Sequence, residues 1–146
     1  MVFIKEITSN ETYVVRHPVL RAGKPIEDCR FEGDDLRTTI HFGLYENESL
    51  VAVISLFESN NSIFDEQNQY QIRGMAVIES HQKKGFGNAL IIHSENYVLA
   101  KNKNFIWFNA RKIAVGFYEK LGYKITGNPF SISDVGIHFV MFKNLT

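Results

Sequence analysis

The stretch from Tyr70 to Ile92, YQIRGMAVIESHQKKGFGNALII, sets a glycine-bearing turn between an apolar strand pattern and an apolar helix pattern. A helix start leaves backbone N–H groups without intrahelical partners and carries a partial positive charge, so it attracts an anion. Gly85 and Gly87 remove the Cβ atoms that would keep a bulky pyrophosphate away from those groups. Gln82, Lys83 and Lys84 add donors and positive charge to the same mouth, and the turn reads as a pyrophosphate cradle. It is neither of the best-known nucleotide fingerprints: GFGNAL lacks the third glycine of G-x-G-x-x-G, and no G-x-x-x-x-G-K-[ST] occurs. As a bare turn, two glycines after two lysines are more often an ordinary solvated strand-to-helix connection, so the surrounding residues decide.

Around this unit the patterning predicts a mixed α/β fold. Val2 to Ile7 reads as a first strand, with Ser9 or Asn10 able to cap a helix running toward Val19. Residues 21 to 36 are polar, carry Gly and Pro, and read as a loop. Thr38 to Tyr45 alternates, with Ile40, Phe42 and Leu44 on one face and Thr39, His41 and Gly43 on the other; Leu50 to Phe57 is nearly continuous and apolar, with a hairpin turn between the two. Strands follow at 71–78 and 105–109, helices at 85–100 and 111–121, and strands at 124–126 and 137–142. The second of these helices puts Ile113, Ala114, Phe117, Tyr118 and Leu121 on one face. The sum is one domain over 1–146, with about seven strands and three or four helices.

Composition narrows the function. A formal net charge of zero argues against general nucleic-acid binding, which shows a basic excess or stripe. The single cysteine, Cys29, has no partner for an internal disulfide, which fits a cytoplasmic location. It lies in a loop with no evident base beside it, so an acyl-cysteine mechanism is not expected. No apolar run approaches the length of a membrane span, and no membrane partner is expected. No Cys/His grouping has zinc-ligand spacing, so no metal is expected.

Two segments carry a family resemblance. Gln82 to Gly87 resembles the Q/R-x-x-G-x-G/A signature of the GNAT acetyltransferase superfamily, placed between its fourth strand and the following helix. Ala114 to Tyr123, AVGFYEKLGY, resembles that family's second hallmark segment, where a tyrosine precedes a Leu-Gly-aromatic turn. The resemblance covers nearly the whole chain. It implies an N-acetyltransferase that moves an acetyl group from acetyl-CoA to the amine of a small-molecule acceptor, by direct attack through a tetrahedral intermediate. By position, it implies that Met75, Ala76 and Val77, just after Gly74, hold the pantetheine and the oxyanion through backbone groups. A glycine inside a strand pattern is itself a sign of a bulge or of close backbone approach. Gln82, Lys83, Lys84, Gly85, Phe86, Gly87 and Asn88 would hold the pyrophosphate.

Tyr118 would protonate the departing thiolate, since a phenol with an ordinary pKa near ~10 keeps its proton at neutral pH. Helix periodicity alone would make it a core aromatic. Many family members carry an asparagine three residues before the alanine matching Ala114; this chain has Arg111 there, which would face either the acceptor or a cofactor phosphate, and Asn109 lies nearby as a candidate cofactor contact. Arg73 and Arg111 are the acceptor-site candidates. A guanidinium in a sheet interior needs a carboxylate or phosphate partner, either internal, such as Asp34 or Asp35, or on the substrate. His41 and His138 are the candidates for the base that takes the amine's proton. His93 reads as helix packing. A non-catalytic acyl-CoA-binding module and a protein N-acetyltransferase remain as alternatives, and exposed strand edges allow a homodimer.

Overall fold

Asn47 and Glu48 take φ of 50° and 72°, the left-handed conformation that a tight two-residue hairpin requires. They join strand β2 (Ile40–Glu46) to β3 (Ser49–Glu58). The computed structural model, which describes all 146 residues, continues this hairpin into a seven-stranded sheet. Its other strands are β1 (Val2–Ile7), β4 (Gln69–Val77), β5 (Phe105–Arg111), β6 (Lys124–Ile132) and β7 (Gly136–Asn144), in the order β1-β2-β3-β4-β5-β7-β6. All neighbours are antiparallel except β4 and β5, which run parallel and pair only over Gln69–Gln71 against Phe105–Trp107.

The alternation of each strand divides the core between the two faces. On one face, α2 (Phe86–Ala100) and α3 (Val115–Lys120) bury Phe42, Leu44, Ile54, Leu56, Ile72, Phe108 and Met141 with Leu90 and Ile91. His93 packs edge-on against Phe42, their ring centroids 4.5 Å apart, as its place in the helix stripe predicts. On the other face, α1 (Ser9–Leu20) sets Val15 against Ile7, Val53 and Ala76. Thr8, one residue before the predicted caps, forms a capping box: Glu11 N–H donates to Thr8 Oγ1 at 3.3 Å, and Thr8 N–H donates to Glu11 Oε1 at 2.8 Å.

The structure corrects the pattern in three places. Residues 111–121 do not form one helix, but a 3-10 turn at Lys112–Ala114 followed by α3, and Ile113 is 91% exposed instead of packed. β6 does not stop at Thr126. It runs on to Ile132, with Gly127, Asn128 and Pro129 absorbed as a register irregularity between Thr126 and Phe130. The polar segment 21–36 contains a 3-10 turn at Ile26–Cys29 and sends Cys29 and Phe31 into the interior.

That segment is anchored by an ion pair. Arg16 is fully buried and donates to both carboxylate oxygens of Asp34, Nη1 to Oδ2 at 2.7 Å and Nη2 to Oδ1 at 3.1 Å. It also donates to the Cys29 carbonyl and to Ser55 Oγ, at 2.8 and 2.9 Å. Truncating one member strands the other charge in the interior, so Asp34→Ala is expected to cost about 3–5 kcal/mol. Urea denaturation measures it; a loss below about 1 kcal/mol, the range of exposed pairs, would contradict this anchoring role.

Candidate active site

Gly74 sits at the centre of β4 with φ of 67°. The ladder to β3 shifts register opposite it, between Val53 and Ser55. A Cβ at Gly74 would stand 2.7 Å from Phe31 Cε2 and 3.3 Å from Arg16 Nε, so both backbone conformation and close approach require glycine. The bulge bends β4, and beyond Gln71 its β5 side has no strand partner. The backbone groups of Met75, Ala76 and Val77 therefore lie along an open edge.

The parting strands enclose a cleft of about 800 Å³. Its wall on one side is the start of α2. Gly85, the residue before the helix, has φ of 82°, and no side chain caps the first turn. Nothing lies within 4 Å of where a Gly85 Cβ would be, so space is open beside the helix start, whose first-turn N–H groups have no intrahelical partners. Lys83 also takes a left-handed φ, 65°. Of the residues that the motif nominated, Gln82, Lys83, Gly85, Phe86, Gly87 and Asn88 all line the cleft, as do Met75, Ala76, Val77 and Asn109. Lys84 does not; its Nζ turns to Glu46 Oε1 at 3.2 Å.

Tyr118 also lines the cleft, packed on Phe108 with ring centroids 4.4 Å apart. Burial pushes its pKa up to about 12. Neighbouring Tyr123 gives its hydroxyl hydrogen to Glu95 at 2.9 Å, whereas the Tyr118 hydroxyl has no protein partner.

Arg111 of β5 and His138 of β7 are directly paired in the sheet, and both line the cleft. His138 Nδ1 lies 2.9 Å from the Gly136 carbonyl. A carbonyl only accepts, so Nδ1 carries the hydrogen and the neutral ring keeps a lone pair on Nε2. His41 is placed otherwise. It is buried outside the cleft, with Nδ1 2.6 Å from Ser55 Oγ and Nε2 2.9 Å from the Asp34 carbonyl. Both ring nitrogens are spent on the Arg16–Asp34 anchor, so the expectation of a base at His41 does not survive the geometry.

Arg73 lines the cleft on the α1 face, its guanidinium carbon 4.8 Å from the Phe31 ring centroid and 5.2 Å from that of Phe57. The internal carboxylates considered for it are taken: Asp34 by Arg16, and Asp35 by Ser9 Oγ at 2.5 Å and Arg30 at 3.6 Å. Desolvation lowers the Arg73 pKa from its ordinary value, opposed in second place by Asp34. Reading the sequence did not place Val19, Leu20, Arg21, Phe31, Ile132 and Val135 in the cleft, yet all six line it. A signal existed for the anchor beneath them: Thr12, Val15, Arg16 and Val19 share one helical stripe, and an arginine on a buried stripe demands an internal carboxylate.

The model of the Acetyltransferase (GNAT) family matches residues 4–123. The chain belongs to this family. Among its GNAT relatives, the uncharacterized N-acetyltransferase YitI of Bacillus subtilis is 34% identical over 145 residues, 99% of this chain and 97% of YitI. The fold is that of an aminoglycoside 6'-N-acetyltransferase solved with coenzyme A, at TM-score 0.78 and 16% identity over 99% of this chain and 97% of that one. The Escherichia coli ribosomal-protein-S18-alanine N-acetyltransferase superimposes at TM-score 0.79 and 16% identity, over 100% and 95% of the two chains. The protein is thus an acetyltransferase of the GNAT type, with the acceptor left open by relatives that act on such different molecules.

The two GNAT glycines separate in a stability measurement. Gly85 needs its left-handed φ, so Gly85→Ala is expected to lose about 1–2 kcal/mol. Gly87 would place a Cβ 3.5 Å from Met75 Cε and Phe117 Cζ, ordinary contact, so Gly87→Ala leaves the free protein unchanged or up to about 1 kcal/mol more stable. Thermal or urea unfolding of both variants checks this.

Proposed function

We propose that the protein transfers an acetyl group from acetyl-CoA to the amine of a small-molecule acceptor, by direct attack of the amine. The observation that carries this reading is a continuous cleft that joins an uncapped helix start to an unpartnered phenol and a histidine with a free ring nitrogen. Acetyl-CoA, when bound, supplies an acyl group activated as a thioester.

The residues present fit that molecule. The first-turn N–H groups of α2 and the Lys83 side chain would hold the pyrophosphate, with Gln82, Phe86 and Asn88 around it. The open β4 edge at Met75, Ala76 and Val77 offers backbone groups to the pantetheine and to the acyl oxygen, and Asn109 borders them from β5. Donors fixed in a strand need no reorganisation as negative charge develops on that oxygen. His138 Nε2 accepts the proton of the amine. The Tyr118 hydroxyl, whose proton no protein atom claims, donates to the departing sulfur.

Two measurements test the reading. A ligand bound at a hundredfold excess over Kd stabilises the folded state by about 2.7 kcal/mol, so acetyl-CoA should raise the Tm clearly. The rise should vanish in a Gly85→Glu, Gly87→Glu double variant, whose carboxylates repel the pyrophosphate. No shift in the well-folded parent would remove the cosubstrate from the cleft.

Tyr118→Phe removes a hydroxyl without a protein partner, so stability should hold while kcat falls on the order of a hundredfold, with little change in the KM for acetyl-CoA. The acid works while protonated. With its pKa raised to about 12, its contribution is present at lower pH and lost only as pH rises through that value. The parent should therefore show no alkaline decline from this group below about pH 10, the ordinary value for tyrosine. An unchanged kcat in Tyr118→Phe would assign the proton to another donor.

A further inference from the structure

We infer that the acceptor amine also carries an oxyanion, a carboxylate or a phosphate, which Arg73 binds on the α1 face of the cleft; this rests on the acetyl-transfer reading of the same cleft. Arg73 is half-buried between Phe31 and Phe57 and makes no hydrogen bond or ion pair with the protein. Aromatic faces hold a cation but leave its N–H fork free, and a guanidinium fork matches the paired oxygens of a carboxylate or phosphate.

The charge around it points the same way. No aspartate or glutamate lines the cleft, whereas Arg21, Lys83 and Arg111 do. Arg21 gives its donors to the backbone carbonyls of Leu20 and Asp28, at 3.0 and 3.2 Å, so its charge stays uncompensated by any carboxylate there. Phe31 thus stands among three guanidinium groups, with Arg16 at 3.9 Å and Arg21 at 5.5 Å besides Arg73, and only Arg16 has an acid partner. A polycationic acceptor would enter this wall against repulsion, with nothing to pair with. Arg73 lies on the opposite face of the sheet from α2, so it is not part of the cradle for the cosubstrate's pyrophosphate.

The test pairs each acceptor with its neutral counterpart in steady-state kinetics with acetyl-CoA: α-amino acids against their primary amides, 2-aminoethyl phosphate against ethanolamine, and spermidine as the cationic control. The best anionic acceptor should exceed its neutral partner by at least about tenfold in kcat/KM, mainly through KM, and the winning pair identifies carboxylate or phosphate. Arg73→Gln should bring that ratio near one, and Arg73→Lys, which keeps the charge but not the fork, should restore it only in part.

Equal or better use of the neutral partners, preference for spermidine, or a ratio unchanged in both Arg73 variants would overturn the inference. So would loss of the acetyl-CoA thermal shift in Arg73→Gln, which would assign the arginine to the cosubstrate.

Equilibrium binding of the matching N-acetylated acids and amides to the CoA-loaded protein separates the two readings. A preference for the acid without any turnover sustains the anion site and sinks the transfer reading. Turnover without a preference does the reverse, and absence of both overturns both.

Discussion

The buried pair between Arg16 and Asp34 holds the α1 side of the cleft in place. Arg16 is fixed by four hydrogen bonds, to Asp34, Cys29 and Ser55, and the Asp34 carboxylate also accepts the Phe31 N–H at 2.9 Å. The segment 21–39 has little regular structure of its own, so these bonds replace the ladder that would otherwise satisfy its backbone. Their consequence is positional. A buried ion pair is weak evidence for net stability, because the desolvation of both ions offsets much of their attraction. What it does here is seat Phe31 at one height above β4, where the ring meets Gly74 on one side and Arg73 on another. Ser55 and His41 extend the same network into β2 and β3, which ties the loop to three elements at once.

From that anchor the cleft follows in two steps. Phe31 and Arg16 crowd Gly74, so the bulge there cannot relax into a regular strand once a side chain is excluded. The bulge turns β4 away from β5, and the parallel pairing ends after three residues. A sheet that splits while still covered on both faces opens a passage through itself. One end of the passage meets the start of α2, and the other meets the segment that the anchor holds. The two ends belong to opposite faces of the sheet, so a cosubstrate and an acceptor can approach the same edge from different sides without competing for space.

How much of this was legible in the sequence depends on how far apart the cooperating residues lie. The strand-turn-helix unit from Tyr70 to Ile92 is local: periodicity places the elements, and glycine marks the turn. Nearly all its nominated residues reach the cleft. Lys84 does not, because Glu46, close in space but far along the chain, draws it aside. His41 failed for the same reason: its polar strand face meets not solvent or substrate but Ser55 and the loop. Ile113 misled the helix pattern because the chain tightens into a 3-10 turn there, which rotates it out of the apolar stripe. The segment 21–36 was hidden by its own polarity. Its two buried apolar residues, Cys29 and Phe31, are too few to produce a period, and the arginine that pulls the segment inward through Asp34 sits on another element.

The same contrast explains why the reaction is easier to infer than the molecule it acts on. The proposed cosubstrate side is built from backbone: helix N–H groups, a strand edge and glycines whose value lies in having no side chain. Any sequence that makes the fold makes much of that surface, while the acetyl-transfer chemistry is assigned by the family match over residues 4–123 and not by the fold alone. The proposed acceptor side is built from side chains on α1, the segment after it, β4, β5 and the β6–β7 hairpin, which meet only in the folded chain. Each can change without disturbing the sheet, so acceptors diverge while the fold persists. In this chain the charged residues that line the cleft share one sign. Formal net charge is zero over 146 residues, yet Asp34 and Asp35 are paired with Arg16 and Arg30, and the charged residues that line the cleft include no carboxylate. Charge balance over a whole sequence therefore says nothing about the field inside a cleft, which is set by the internal pairs that remove one sign from it.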